Sequence, residues 1–91
     1  MFVYILRSQR TGRYYVGSTQ DLSRRLAEHN QPEENPSRWT RGGAPWKLVF
    51  SEDFLRATQA VRAEKFIKRM KSRDFIEKQV RGERTLEAFK R

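Results

Sequence analysis

The chain has no cysteine, one histidine and only 11 acidic residues among its 91. Without thiols there is no disulfide scaffold, no thiolate zinc site and no cysteine nucleophile. Proline is scarce as well, and all three fall between positions 32 and 45. No apolar run approaches the ~20 residues of a membrane span. The first apolar stretch, Phe2 to Leu6, is too short and too early for a signal peptide. These absences lead us to expect a cytoplasmic protein. The length suits one domain, 1–91, with a core over about 2–72 and a helical extension over 73–91. What is abundant is positive charge: 20 Lys and Arg give a net +9. A polyanion is the default partner of such a surface. Eleven aromatic residues, in clusters, argue against disorder.

The apolar run Phe2–Leu6 reads as a strand buried on both faces. Gln9–Gly12 reads as a turn and Arg13–Gly17 as a second strand, so the two form an antiparallel hairpin. A four-residue turn sets Leu6 opposite Tyr15 and Tyr4 opposite Gly17. Tyr4 and Tyr15 then share one sheet face, and Gly17 leaves room beside the Tyr4 phenol. Ser18 and Asp21 have capping-box spacing and open a helix with a Leu22/Leu26 stripe, ending near Asn30. Residues 31–45 are a loop, and Trp46–Phe50 is a third strand. A helix follows from about Leu55 to Lys71. Ser72 caps another that Gly82 ends, and Thr85–Arg91 reads as a frayed last turn or two. The order is ββαβαα, an α/β (α+β) mixture around a small antiparallel or mixed sheet.

Several side chains suit chemistry, and each also has an ordinary explanation. Tyr4 and Tyr15 are a candidate pair, or simply two core tyrosines. Arg25 and His29 are four apart and share a helix face beside the leucine stripe. His29 has the one side chain with an unperturbed pKa suited to proton transfer near neutrality, although a solvated basic face would also include it. Glu64 lies at the apolar edge of its helix, about 20° from Ala57 on a helical wheel. A carboxylate there is costly unless it is paired, as with Lys68, or binds a hard metal ion. Arg62, Lys65, Lys68 and Lys71 on the second long helix are candidate phosphate contacts. So are Arg38, Trp39, Arg41 and Lys47 around the loop, where an aromatic accompanies the cations.

Taken together, these pieces resemble the GIY-YIG nuclease superfamily. Val3-Tyr4-Ile5-Leu6 stands at its first motif and Tyr15-Val16-Gly17 at its second, with ten residues between the two tyrosines. Asp21–Asn30 resembles the helix carrying the family arginine and histidine. Thr40, Pro45–Val49 and Arg62–Lys68 resemble the later blocks. Five blocks occur in order over residues 2 to about 72. The likeness is nearest to the small stand-alone bacterial UPF0213-type members, and Pro45-Trp46 is similar to the structure-specific nucleases of the superfamily. Two departures stand out. Phe2 replaces the glycine of the first motif, and no asparagine follows Glu64.

The resemblance implies a three-stranded antiparallel sheet flanked by helices and a metal-dependent DNA endonuclease used in repair or processing. Tyr4 matches the proposed general base and Tyr15 its partner. Arg25 matches the phosphate-stabilising arginine, and His29 a position that relays or accepts a proton. Glu64 matches the single ligand of Mg²⁺ or Mn²⁺. Selectivity would come from DNA shape, such as flaps, branches or nicks, with RNA left open. The protein would be a monomer or weak homodimer, nucleoid-associated when bound to DNA. The alternatives are an inactive nucleic-acid-binding module of the same fold, or a subunit that needs a partner protein.

Overall fold

A computed structural model describes residues 1–31 and 40–91. The elements in chain order are β1 (Phe2–Ser8), β2 (Tyr14–Thr19), α1 (Leu22–Asn30), β3 (Trp46–Asp53), α2 (Ala57–Met70) and α3 (Arg73–Val80), with a closing 3-10 turn (Glu87–Lys90). The strands form one antiparallel sheet in the order β2-β1-β3. The expected ββαβαα arrangement and the α+β class are therefore present. β1, the most apolar strand, is central and is covered on both faces.

The hairpin has the expected register, with Tyr4 opposite Gly17 and Leu6 opposite Tyr15. Its turn is held by the Ser8 side chain, whose hydroxyl accepts from the Arg10 and Thr11 amides. Gly12 sits at φ +77°, where a side chain would be strained. On the other side of β1 the register slips between Ile5 and Leu6, which pair with Phe50 and Leu48. One residue of β3 is thus unpaired, as in a bulge.

Alternation along the strands divides the interior. Val3, Ile5 and Val16 point to the side covered by α2 and α3, where they meet Ala60, Ala63, Ile67, Phe75 and Leu86. Tyr4 and Leu6 point to the α1 side and meet Trp46, Tyr15, Leu22 and Leu26. β2 is an edge strand, so this edge is where chemistry from the two faces can meet.

Three local expectations are corrected. Ser18 does not cap α1. β2 runs on to Thr19, Ser18 pairs opposite Val3, and the Asp21 carboxylate caps the Arg24 amide. α2 begins at Ala57 rather than Leu55, because Phe54 is the residue that enters the core and Leu55 is 91 % exposed. The C-terminal segment is not frayed: Leu86 is fully buried, and the Phe89 ring lies 5.3 Å from that of Phe66. By contrast, Ser72 caps α3 at the Phe75 amide as its sequence suggests, and Gly82 takes a positive φ just beyond that helix. Among the described residues no helix is long and apolar enough to cross a membrane.

Candidate active site

The site begins with Gly17. A Cβ there would come within 2.6 Å of the Tyr4 hydroxyl and 3.1 Å of the Tyr15 ring. Only glycine leaves this space, and the two rings occupy it with centroids 6.3 Å apart. From the other side α1 inserts His29, which is 1 % exposed. Its ring centroid lies 5.0 Å from Tyr15 and 6.2 Å from Tyr4. The histidine therefore belongs to the interior and not to a solvated basic face.

Hydrogen bonds link these groups in a line. The Tyr4 hydroxyl lies 3.2 Å from His29 Nε2, and His29 Nδ1 lies 2.7 Å from the buried Thr40 hydroxyl. The Trp46 indole N–H donates to the Thr40 carbonyl at 2.9 Å. Asn30 brackets the Trp46 backbone, accepting from its amide and donating to its carbonyl. Trp46 in turn fills the space over Gly43, whose carbonyl accepts from Ser8. A polar chain thus runs from the hairpin through α1 into β3.

Electrostatics sets the protonation of this chain. Burial holds the Tyr4 phenol well above its ordinary value, and the neighbouring Tyr15 adds to the rise. The Arg25 guanidinium acts in the opposite direction on Tyr4. Burial lowers His29, and Arg25 lowers it further. Near neutral pH the pair is a phenol beside an uncharged imidazole, so the proton rests on the Tyr4 oxygen and His29 Nε2 accepts it as a hydrogen bond.

Arg25 is 38 % exposed and forms an ion pair with Glu28 at 3.5 Å. Both line a hollow of about 650 Å³ together with Ser18, Thr19 and Asp21. Glu64 enters from α2 on the opposite face of the sheet. Its carboxylate accepts from the Ser18 hydroxyl and from the Lys68 ammonium, each at 2.6 Å. The Lys68 ammonium also stands 5.8 Å from the Tyr15 ring centroid, so it bridges Glu64 to the aromatic pair. Glu64 is 17 % exposed, and its negative charge raises the Tyr4 pKa slightly. It is a hard oxygen donor that already holds a cation, which is the chemistry a divalent ion needs. Among the described residues no group of three His, Asp or Glu could hold a metal. Glu64 could hold a hard, largely hydrated ion only in place of the Lys68 ammonium.

Of the sequence candidates, Tyr4, Tyr15 and His29 are in contact. Arg25 and Glu64, on the two flanking helices, act on Tyr4 through their charges. Lys68 and Lys71 line a second hollow beside Tyr15. Arg62 lines a different hollow with Leu55 and Lys90. Lys65, by helical periodicity, points away from the packed side of α2. Arg41 and Lys47 are exposed near the start of β3, and Arg38 and Trp39 lie outside the described residues. Sequence reasoning assigned no role to Thr40 and misassigned Ser18. Neither has a local signal, since their partners are 11 and 46 positions away.

Comparison with known proteins gives the chain a family. The family described as GIY-YIG catalytic domain matches residues 1–78. A UPF0213 protein of Streptococcus pneumoniae is 39 % identical over 70 residues, covering 77 % of this chain and 68 % of that protein. One from the archaeon Halobacterium salinarum is 38 % identical over 68 residues, covering 75 % and 84 %. One from Cronobacter sakazakii is 36 % identical over 89 residues, covering 98 % and 90 %. No solved structure matches the chain significantly.

Proposed function

The chain belongs to the GIY-YIG family of nucleases, and from that premise we propose that it is a metal-dependent endonuclease hydrolysing phosphodiester bonds in DNA. In this reading it selects DNA by structure more than by sequence and serves repair or processing. The observation that carries the reading is the buried line from Tyr4 through His29 to Thr40, beside Arg25 and Glu64. A core built for stability alone has little reason to bury an imidazole and two hydroxyls in series.

The roles follow from charge and reach. Water attacks phosphorus, and the bond to the leaving oxygen breaks. The Tyr4 oxygen takes the proton of the attacking water while its own proton passes to His29 Nε2. The high phenol pKa makes a standing phenolate unfavourable, so Tyr4 acts as a relay and His29 is the acceptor. His29 then carries N–H on both nitrogens, and the Thr40 hydroxyl accepts from Nδ1. Arg25 neutralises the non-bridging oxygens with two donors. Tyr15 holds the His29 ring by contact at 5.0 Å. Glu64 would hold Mg²⁺ or Mn²⁺, which supplies Lewis-acid help at the phosphate and leaving oxygen. Lys68 must then yield its place at the carboxylate, and the charge it carries remains available for substrate phosphate.

The test is cleavage of flapped, branched, nicked and linear DNA by purified protein with Mg²⁺, Mn²⁺ or EDTA, alongside Glu64→Ala. The reading expects metal-dependent cutting of at least one structure by the wild type and none by the variant. Binding to every DNA without cleavage would favour an inactive binding module. Metal-independent cutting that survives Glu64→Ala would contradict the mechanism.

A further inference from the structure

The hollow beside Tyr15 has features that the catalytic roles leave unused. It measures about 510 Å³, within the range of small-ligand sites. Tyr14, Tyr15 and Ile76 contribute apolar wall, and Arg13, Lys71 and Arg73 are cationic on its lining. No acidic side chain lines it. Among the described residues the Arg13 guanidinium and the Lys71 ammonium have no ion-pair or hydrogen-bond partner.

One wall is fixed in advance. The Arg73 guanidinium lies over the Tyr14 ring at 5.0 Å, and its Nε contacts Glu77 at 3.4 Å. The same Glu77 carboxylate accepts from the Tyr14 hydroxyl at 3.4 Å, and Arg73 also donates to the Gly12 carbonyl at 3.1 Å. The stack therefore ties the hairpin turn to α3. Lys71 projects from the junction of α2 and α3, where its backbone is left-handed at φ 47°. The arrangement combines planar, polarizable surfaces with cations spaced around them. Duplex DNA, whose bases are stacked inward, makes no use of such surfaces. An unpaired nucleotide does, since its base stacks on an aromatic or guanidinium plane while its phosphates meet the cations.

We propose that this hollow is a nucleotide-binding subsite that seats one unpaired base of the substrate strand, between the Tyr14–Arg73 stack and Tyr15, with its phosphates on Arg13 and Lys71. It rests on the nuclease reading in that Tyr15, Trp46 and Lys68 belong to both places. The subsite makes the enzyme favour the junction between duplex and single strand, because the base next to the scissile phosphate must be free to enter.

The test is binding, measured in EDTA so that no cleavage occurs. Fluorescence anisotropy at fixed salt compares three duplexes of the same length: blunt, with a short single-stranded overhang, and with the same overhang made abasic. The proposal expects about tenfold tighter binding of the normal overhang, the gain from one stacked base. The abasic overhang should lose most of that gain although its phosphates are unchanged. Arg13→Gln combined with Lys71→Gln should lose part of the preference, and Ile76→Trp, which fills the hollow, should lose all of it. Circular dichroism identifies a variant that fails to fold. Equal binding of normal and abasic overhangs would overturn base recognition and leave a plain phosphate site. A preference unchanged in both variants would place the recognition elsewhere. Poly-glutamate competing as well as an oligonucleotide of equal charge would reduce the hollow to a general polyanion patch. Cleavage assays run in parallel separate the two ideas: base-dependent binding without cleavage keeps the subsite and removes the nuclease mechanism, and the reverse removes only the subsite.

Discussion

On the α2 and α3 side of the sheet, Val3, Ile5, Val16, Ala60, Ala63, Ile67 and Leu86 form an interior with few polar atoms. On the α1 side, Leu6 and Trp46 share the interior with Tyr4, Ser8, His29 and Thr40. The same three strands supply both sides, so the difference comes from alternate residues of one short sequence. It teaches how a small protein divides its tasks. Apolar burial contributes stability on one face at about 25 cal/mol per Å². Buried polar groups contribute little net stability, and each must be satisfied. On the α1 side the side-chain groups are satisfied, with Ser8 on the Gly43 carbonyl and both His29 nitrogens partnered. The α1 face thus keeps polar groups that folding alone does not require, and the edge of β2 lets Glu64 and Lys68 reach it from the other side.

If the division is real, the two faces should fail differently. The largest expected effect is on activity: Tyr4→Phe should lower single-turnover cleavage by about 10²–10⁴-fold, the usual range for losing a positioned proton-transfer group. Its stability should fall by only about 1–3 kcal/mol, because the change leaves the buried His29 Nε2 without its partner. Full activity in Tyr4→Phe would falsify the relay. Ile67→Ala should do the opposite, costing about 2–5 kcal/mol in denaturant unfolding while the folded fraction cleaves at the normal rate. A large loss of activity per folded molecule would break the separation of the faces.

Smaller effects sharpen the comparison. Thr40→Val removes the hydroxyl next to His29 Nδ1 and should cost about 1–3 kcal/mol, the penalty of an unsatisfied buried group. Cleavage should fall with it, and Thr40→Ser should restore both. The smallest effect is on stability against pH. Burial depresses the folded pKa of His29 below 6.5, so its contribution is fully present above the unfolded value. As pH falls below 6.5, the unfolded chain takes up the proton first and stability declines toward the folded pKa. Denaturation midpoints measured through that range should decline less in His29→Gln.

How far the sequence revealed this differs between the two faces as well. The hairpin register was readable because turn length and strand alternation are local, and they brought Tyr4, Tyr15 and Gly17 together correctly. The Ser72 cap and the apolar-edge position of Glu64 were readable for the same reason. The carboxylate makes the ordinary helix pair with Lys68 that its spacing allows, and its role as a metal ligand belongs to the proposed function. Thr40 was legible only as part of a family block, since nothing local says that a loop threonine will meet His29. Ser18 was misread because its spacing to Asp21 satisfies a capping pattern that β2 overrides by running two residues beyond Gly17. The C-terminal turn was misread because two apolar side chains three apart, Leu86 and Phe89, are a weak helical signal until α2 offers a surface.

The relay itself is tested most directly by the pH dependence of single-turnover cleavage on flapped DNA. His29 must be uncharged to accept the proton, and burial and Arg25 keep it so to below its ordinary value. The account predicts an acid limb that begins below pH 6.5 and is absent from the residual activity of His29→Gln. The same acid limb persisting in His29→Gln would contradict it.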